Sequence, residues 1–173
     1  MFNSFLYNLK QQFLCWAAKK FEFLHCVGKY TFIVHDQFGN EKQRLEVYNL
    51  VTTVGKALIA GRLSAVGSPA AALYIAVGTG ATAAAAGDTA LQTEITDSGL
   101  ARVLATASLT TTTTTDDTFH LTTTFTVTGT KAVTEVGILN ASSTGTLLSR
   151  RVASAVNVAN GDSLTVNYDL QFT

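Results

Sequence analysis

The chain has 173 residues, enough for one domain with a hydrophobic core and too few for a comfortable second one. Its residues are 47% apolar and only 14% charged, with twelve basic side chains against twelve acidic ones, so disorder is excluded and no long-range field draws in nucleic acid or anionic lipid. A surface so poor in charge consists largely of Thr, Ser, Ala and Asn, which a neighbouring subunit can cover without stranding ions.

From Met1 to about Leu24 apolar residues recur at steps of three and four, with Phe5, Leu9, Phe13, Trp16 and Phe21 on one stripe and Lys10, Gln11, Lys19 and Glu22 off it. This spacing predicts an amphipathic helix. Asn8, Lys10, Gln11 and Gln12 interrupt it, so it reads neither as a membrane span nor as a signal peptide, and a membrane surface is a less favoured partner than a protein. Residues 1–28 are therefore expected to form an arm whose aromatic stripe, Phe5, Leu9, Phe13, Trp16 and Phe21, binds a partner or the home domain. Cys15 and Cys26 are too few for a disulfide framework and are expected to be buried or interfacial thiols.

Residues Lys29 to Val34 and Gln43 to Tyr48 read as two strands of a hairpin closed across Asp36 to Asn40. Asn49 is a suitable cap for a helix from Leu50 to about Ala65, with Leu50, Val54, Ala57, Leu58 and Leu63 on its apolar face and Gly67-Ser68-Pro69 as its stop. A short strand follows at Leu73 to Val77, then Gly78-Thr79-Gly80 and an Ala-rich stretch. Asp88 precedes Thr89 to Gln92 in the manner of a capped single turn.

Beyond Gly99 the pattern turns to strands: Ala101–Thr111, Thr118–Val127, Val133–Asn140, Thr146–Ala153 and Ser163–Thr173. Phe119, Leu121, Phe125 and Val127 alternate with polar residues, as do Leu164, Val166, Tyr168, Leu170 and Phe172, so each strand has one buried face. The six threonines Thr110 to Thr115 are expected at a solvated strand end or loop. The fold class is thus mainly β, an antiparallel β-sandwich or open barrel, with an N-terminal amphipathic helix, a β-hairpin and one further helix. The domain plan is an arm at 1–28 and a single mainly β domain at 29–173, divided into hairpin plus helix (29–66) and sandwich (70–173).

No motif carries recognisable chemistry. Gly78-Thr79-Gly80 lacks a following Gly-Lys-Ser/Thr, and Gly55-Lys56 lies inside the expected helix. His25, His35 and His120 lack metal-ligand spacing, and the adjacent Asp116 and Asp117 lack that of a calcium loop. No nucleophile has its flanking signature, so the reading is a non-enzyme without metal or cofactor. Glu135, Arg102, Arg150 and Arg151 stand out as charges in otherwise uncharged strands. They are the candidate ion-pair residues, with Glu135 pairing to one of the arginines across strands or subunits.

The ordered blocks Tyr48 to Ala60, Tyr74 to Gly80, Asp88 to Glu94, Glu135 to Asn140 and Gly161 to Val166 resemble a diffuse group of tailed-bacteriophage accessory virion proteins: capsid decoration or cement proteins and related fibre or collar modules. The resemblance spans about residues 29–173 and leaves residues 1–28 outside. It implies a virion location after assembly in the host cytoplasm, the major capsid protein or other virion subunits as partners, and self-association, with a trimer favoured by analogy. It names no catalytic residue. The leading expectation is a decoration protein that reinforces capsomer contacts, with the uncharged stretches Ala81 to Ala86 and Val152 to Val158 as candidate subunit-contact loops. The alternative is a fibre, collar or other appendage module engaged in host attachment.

Overall fold

The computed structural model describes residues 25–173, so the arm residues Phe5, Leu9, Phe13, Trp16 and Phe21, together with Cys15, lie outside the described residues. The described chain is mainly β. Its strands are β1 (Cys26–His35), β2 (Glu41–Tyr48), β3 (Leu50–Val51), β4 (Tyr74–Gly78), β5 (Val103–Leu104), β6 (Thr106–Thr110), β7 (Thr118–Thr126), β8 (Lys131–Leu139), β9 (Leu147–Val158) and β10 (Ser163–Phe172), and its helix is α1 (Thr53–Ser64). They form two five-stranded sheets, β2-β1-β10-β7-β6 and β3-β9-β8-β4-β5, antiparallel throughout.

Period-two alternation builds the interior. Tyr30, Phe32 and Val34 of β1, Leu121 and Phe125 of β7 and Leu164, Val166, Tyr168 and Leu170 of β10 point from the first sheet into one cluster. Ile75 and Val77 of β4, Val136 and Ile138 of β8 and Leu148 and Val156 of β9 meet them from the second. Each fully buried side chain of this size contributes about 1.5–3 kcal/mol, so this layer dominates stability. Two tyrosines cross it with their polar ends satisfied. The Tyr30 hydroxyl shares a 2.7 Å hydrogen bond with Ser149 Oγ on the opposite sheet, and Tyr168 accepts one from Asn49 Nδ2 at 3.2 Å. Their rings stack obliquely at 4.9 Å, and burial pushes both hydroxyl pKa values upward.

The hairpin expected at Lys29 to Tyr48 is real but longer, and β1 is an inner strand hydrogen-bonded to β10 across Cys26 to His35. At the open side of the sandwich the Gln43 amide bridges the sheets, donating to Ala155 O and accepting from Asn157 N, both at 3.1 Å. The stretch Val152 to Val158 is therefore the second half of β9 and not a loop. Its Val152, Val156 and Val158 follow a strand period that the intervening alanines obscure.

The helix begins three residues later than its pattern suggested. Leu50 and Val51 pair with Arg150 and Ser149 of β9, and Thr52 becomes the cap. The fully buried Thr52 hydroxyl accepts from Gly55 N at 2.9 Å and donates to Leu147 O at 2.6 Å, tying the helix start to β9. Asn49 is spent elsewhere: its backbone N–H bonds Gly28 O and its amide bonds Tyr168. Gly55 is required by close approach, because a Cβ there would lie 2.1 Å from Leu148 O. The buried helix face is Gly55 and Leu58. Leu63, five residues on and thus roughly 140° around the axis, is 82% exposed. The helix stops at Ala65 in a left-handed conformation, before Gly67. Among the described residues no helix is long and apolar enough to cross a membrane.

Candidate functional site: a buried carboxylate in a glycine cradle

The outer side of the second sheet is covered by the irregular segment between β4 and β5. Ala76, Leu139 and Leu147 point outward from their strands and meet Leu91 of that segment, with Tyr74 packed against them, in a second, smaller apolar cluster. Beside it lie Glu135 and Arg150, whose side chains are 0% and 3% exposed.

Glu135 on β8 faces Gly78 of β4 and lies beneath the turn that leaves that strand. A Cβ at Gly78 or Gly80 would come within 2.6 or 2.5 Å of Glu135 Oε2, so both glycines are needed to admit the carboxylate. Oε2 accepts from Thr93 N at 3.0 Å and Gly80 N at 3.3 Å. Oε1 accepts from Gln92 N at 2.6 Å and Arg150 Nε at 2.6 Å. The Gly-Thr-Gly segment thus does present backbone N–H to an anion, and that anion is the chain's own carboxylate.

Arg150 carries the network outward. One terminal nitrogen donates to Asp88 Oδ2 at 2.8 Å and the other to Thr82 O at 3.1 Å. Burial opposes the guanidinium charge, but the hydrogen bonds and charges of Glu135 and Asp88 more than offset it, and the Arg150 pKa is raised. Asp88 also accepts from Ala85 N at 2.8 Å; this bond first, and Arg150 after it, hold its carboxyl below the usual range. Asp88 is therefore not the cap of a turn at Thr89 to Gln92, which is irregular; it closes the preceding Ala-rich turn. The Gln92 side chain finishes the lattice, accepting from Ala81 N and Thr82 N and donating to Thr82 Oγ1. Every buried side-chain nitrogen and oxygen among the described residues has a hydrogen-bond partner.

The other candidate arginines part company. Arg102 does not join Glu135; its guanidinium grips both oxygens of Glu94, at 2.9 and 2.5 Å, and bonds Ala141 O and Thr144 O, fastening the end of the covering segment to the β8–β9 turn. Arg151 is exposed and pairs with no described residue, because the next position along a strand points to the opposite face. Glu94 and Gln92 were not singled out from sequence, and Asp88 only as a turn cap, since polar residues in a loop are unremarkable until a buried partner is known.

No family model matches this chain, and neither does any curated protein or solved structure.

The outer side of the first sheet differs throughout. Cross-strand rows place Lys29, Asp169, His120 and Ser108 side by side, then Thr31, Asn167, Thr122 and Thr106, then Thr165 and Thr124. Neighbours within the rows bond one another: Thr122 to Asn167 at 2.6 Å, Thr124 with Thr165 at 2.8 Å and His120 with Asp169 at 2.7 Å. At one end, Thr111 to Thr115 form an exposed loop organised by Asp117. That carboxylate accepts from the Thr113 hydroxyl and from the N–H groups of Thr112, Thr113 and Thr114, bonds that hold its pKa far below the ordinary value. Among the described residues no three His, Cys, Asp or Glu side chains converge as metal ligands would. Cys26 is a free thiol at the start of β1 and is exposed in the single chain, because it lies at the outer end of the β1–β10 pairing; of the two expected settings, buried or interfacial, burial within the domain is the one that does not hold.

Proposed function

We propose that the chain is a structural subunit of a tailed-bacteriophage particle, a decoration or cement protein that lies on the outer shell as a homo-oligomer, preferably a trimer, and reinforces capsomer contacts. The observation that carries this reading is the outer face of the first sheet. Away from the Lys29, Asp169 and His120 row at one end, Thr122 is bonded to Asn167 and Thr124 to Thr165 across the strands, so a neighbouring subunit can cover this uncharged part of the face with those groups already partnered. The block resemblance of residues 29–173 to accessory virion proteins gives the kind of neighbour, the major capsid protein or another virion subunit. Many weak contacts of this sort, lost only together, oppose the internal pressure that pulls capsomers apart.

The test is the copy number in purified particles by quantitative mass spectrometry, together with a charge placed on the face by Thr124→Arg. Hundreds of copies, with binding abolished by a variant that still folds, are the expected result. A handful of copies located at the tail would replace this reading by the fibre or collar module, which the exposed, internally braced Thr111 to Asp117 loop favours.

A further inference from the structure

Between α1 and the ends of β7 and β10 runs an open groove of about 280 Å³, walled by Leu58, Ile59 and Leu63 on the helix side and by Phe119, Leu170 and Phe172 on the sheet side. Its only charged lining residue is Arg62. A cavity of about 150 Å³ admits a benzene ring, so this one has room for two large side chains. Ile59 also lines an adjoining, more polar hollow of about 440 Å³ that reaches Val51, Cys26 and His25 and includes Asn49 and Lys56. The two make a continuous track along one flank of α1.

That track starts where the described chain starts. His25 exchanges backbone hydrogen bonds with Thr173, at 2.6 and 2.9 Å, and Cys26 pairs with Phe172, a wall of the groove. The sequence immediately before His25 holds Leu24, Phe21, Trp16 and Phe13 at steps of three to five residues. Phe21 is four residues from His25, hence within about 14 Å of it whatever conformation the chain takes. So short a tether keeps the effective concentration of this stripe at the groove very high, and no partner free in solution competes on equal terms.

We propose that the groove along α1 is the docking site of the chain's own residues 1–24, with Phe21 and Leu24 filling its apolar walls and Trp16 lying further along the helix flank. The occupant follows from the match between the apolar groove and an apolar stripe that adjoins His25, beside the hollow leading to it, with the segment's Lys19 and Glu22 suited to the more polar hollow, and it holds whether or not the protein belongs to a virion. The docked segment covers Leu63, which the described residues leave 82% exposed.

Trp16 is the only tryptophan of the chain, so its fluorescence reads the docking directly. In the dilute full-length protein its emission is expected to be blue-shifted and shielded from acrylamide, independent of protein concentration. Leu63→Glu, and Phe21→Ser in the segment itself, should each move the emission to that of the urea-unfolded chain while the far-ultraviolet β signal persists. Val66→Glu, an exposed neighbour outside the groove, should not. Because Phe21 lies in the docked segment and not in a strand or helix of the sandwich, its variant remains informative even if Leu63→Glu does not fold. A solvent-exposed tryptophan in the wild-type protein would overturn the proposal, as would emission that reddens on dilution, which would assign the groove to a second copy. Emission indifferent to both substitutions would overturn it as well.

Discussion

Under the loop on the second sheet, Glu135 meets Arg150 with side chains 0% and 3% exposed; on the first sheet His120 meets Asp169 with 24% and 31% exposed. Both are cross-strand pairs of similar length on the outer side of a β-sheet, yet they do different work. The surface pair adds little, because water screens it and two side chains lose freedom to form it. The buried pair is committed: its carboxylate accepts three backbone N–H groups from the covering segment as well as the arginine, so the charge fixes where that segment lies. One face of the sandwich is thus closed by its own chain, and the other carries cross-strand pairs bonded to one another.

The largest expected effect comes from breaking the buried pair. Arg150→Ala leaves the Glu135 charge buried and should cost about 3–5 kcal/mol in urea unfolding. Replacing both partners, as in Glu135→Leu with Arg150→Met, relieves an ion pair harmlessly in some proteins. Here it should remain destabilising, since Gly80, Gln92 and Thr93 would lose their acceptor. Full recovery in the double variant would mean that the cradle is incidental.

Next in size is the apolar half of the covered face. Leu91→Ala empties the small cluster with Leu139 and Leu147 and should cost about 2–4 kcal/mol, whereas Thr52→Ala, which removes the α1 cap, should cost about 1–2. Lowering the pH should act on the covered face too. The carboxyl of Asp88 has a folded pKa below its unfolded value of about 3.9, so its contribution is complete above that value and is lost as pH falls through the folded one. Asp88→Asn should flatten the acid limb of the stability curve measured by thermal melting below about pH 4.

The smallest effects belong to the open face. Thr124→Ala and His120→Ala should each change stability by under about 1 kcal/mol, and the comparison of faces is sharpened if the same variants weaken particle binding.

How much of this could be read from the sequence depended on the range over which each feature is decided. β7 and β10 were legible because Leu121 and Phe125, or Leu164 through Leu170, announce a buried face by alternation alone. The start of α1 was not, because Asn49 and Thr52 are both good caps and the choice falls to the pairing of Leu50 and Val51 with β9, about a hundred residues away. Glu135 and Arg150 were conspicuous as charges in apolar strands. Which arginine would answer the carboxylate was hidden, as was the partnership of Arg102 with Glu94, since register and loop path set both. Gly78-Thr79-Gly80 read as a phosphate loop lacking its other parts. Its true occupant comes from a strand 55 residues further on.

The central claim, that the open face serves a shell, is tested most directly on particles stripped of this protein and compared with complete ones for DNA release under heat and osmotic shock. The account predicts that stripped particles burst at lower temperature and milder shock, still adsorb normally to cells, and regain their strength when wild-type protein, but not Thr124→Arg, is added back. Unchanged shell strength with lost adsorption would contradict it.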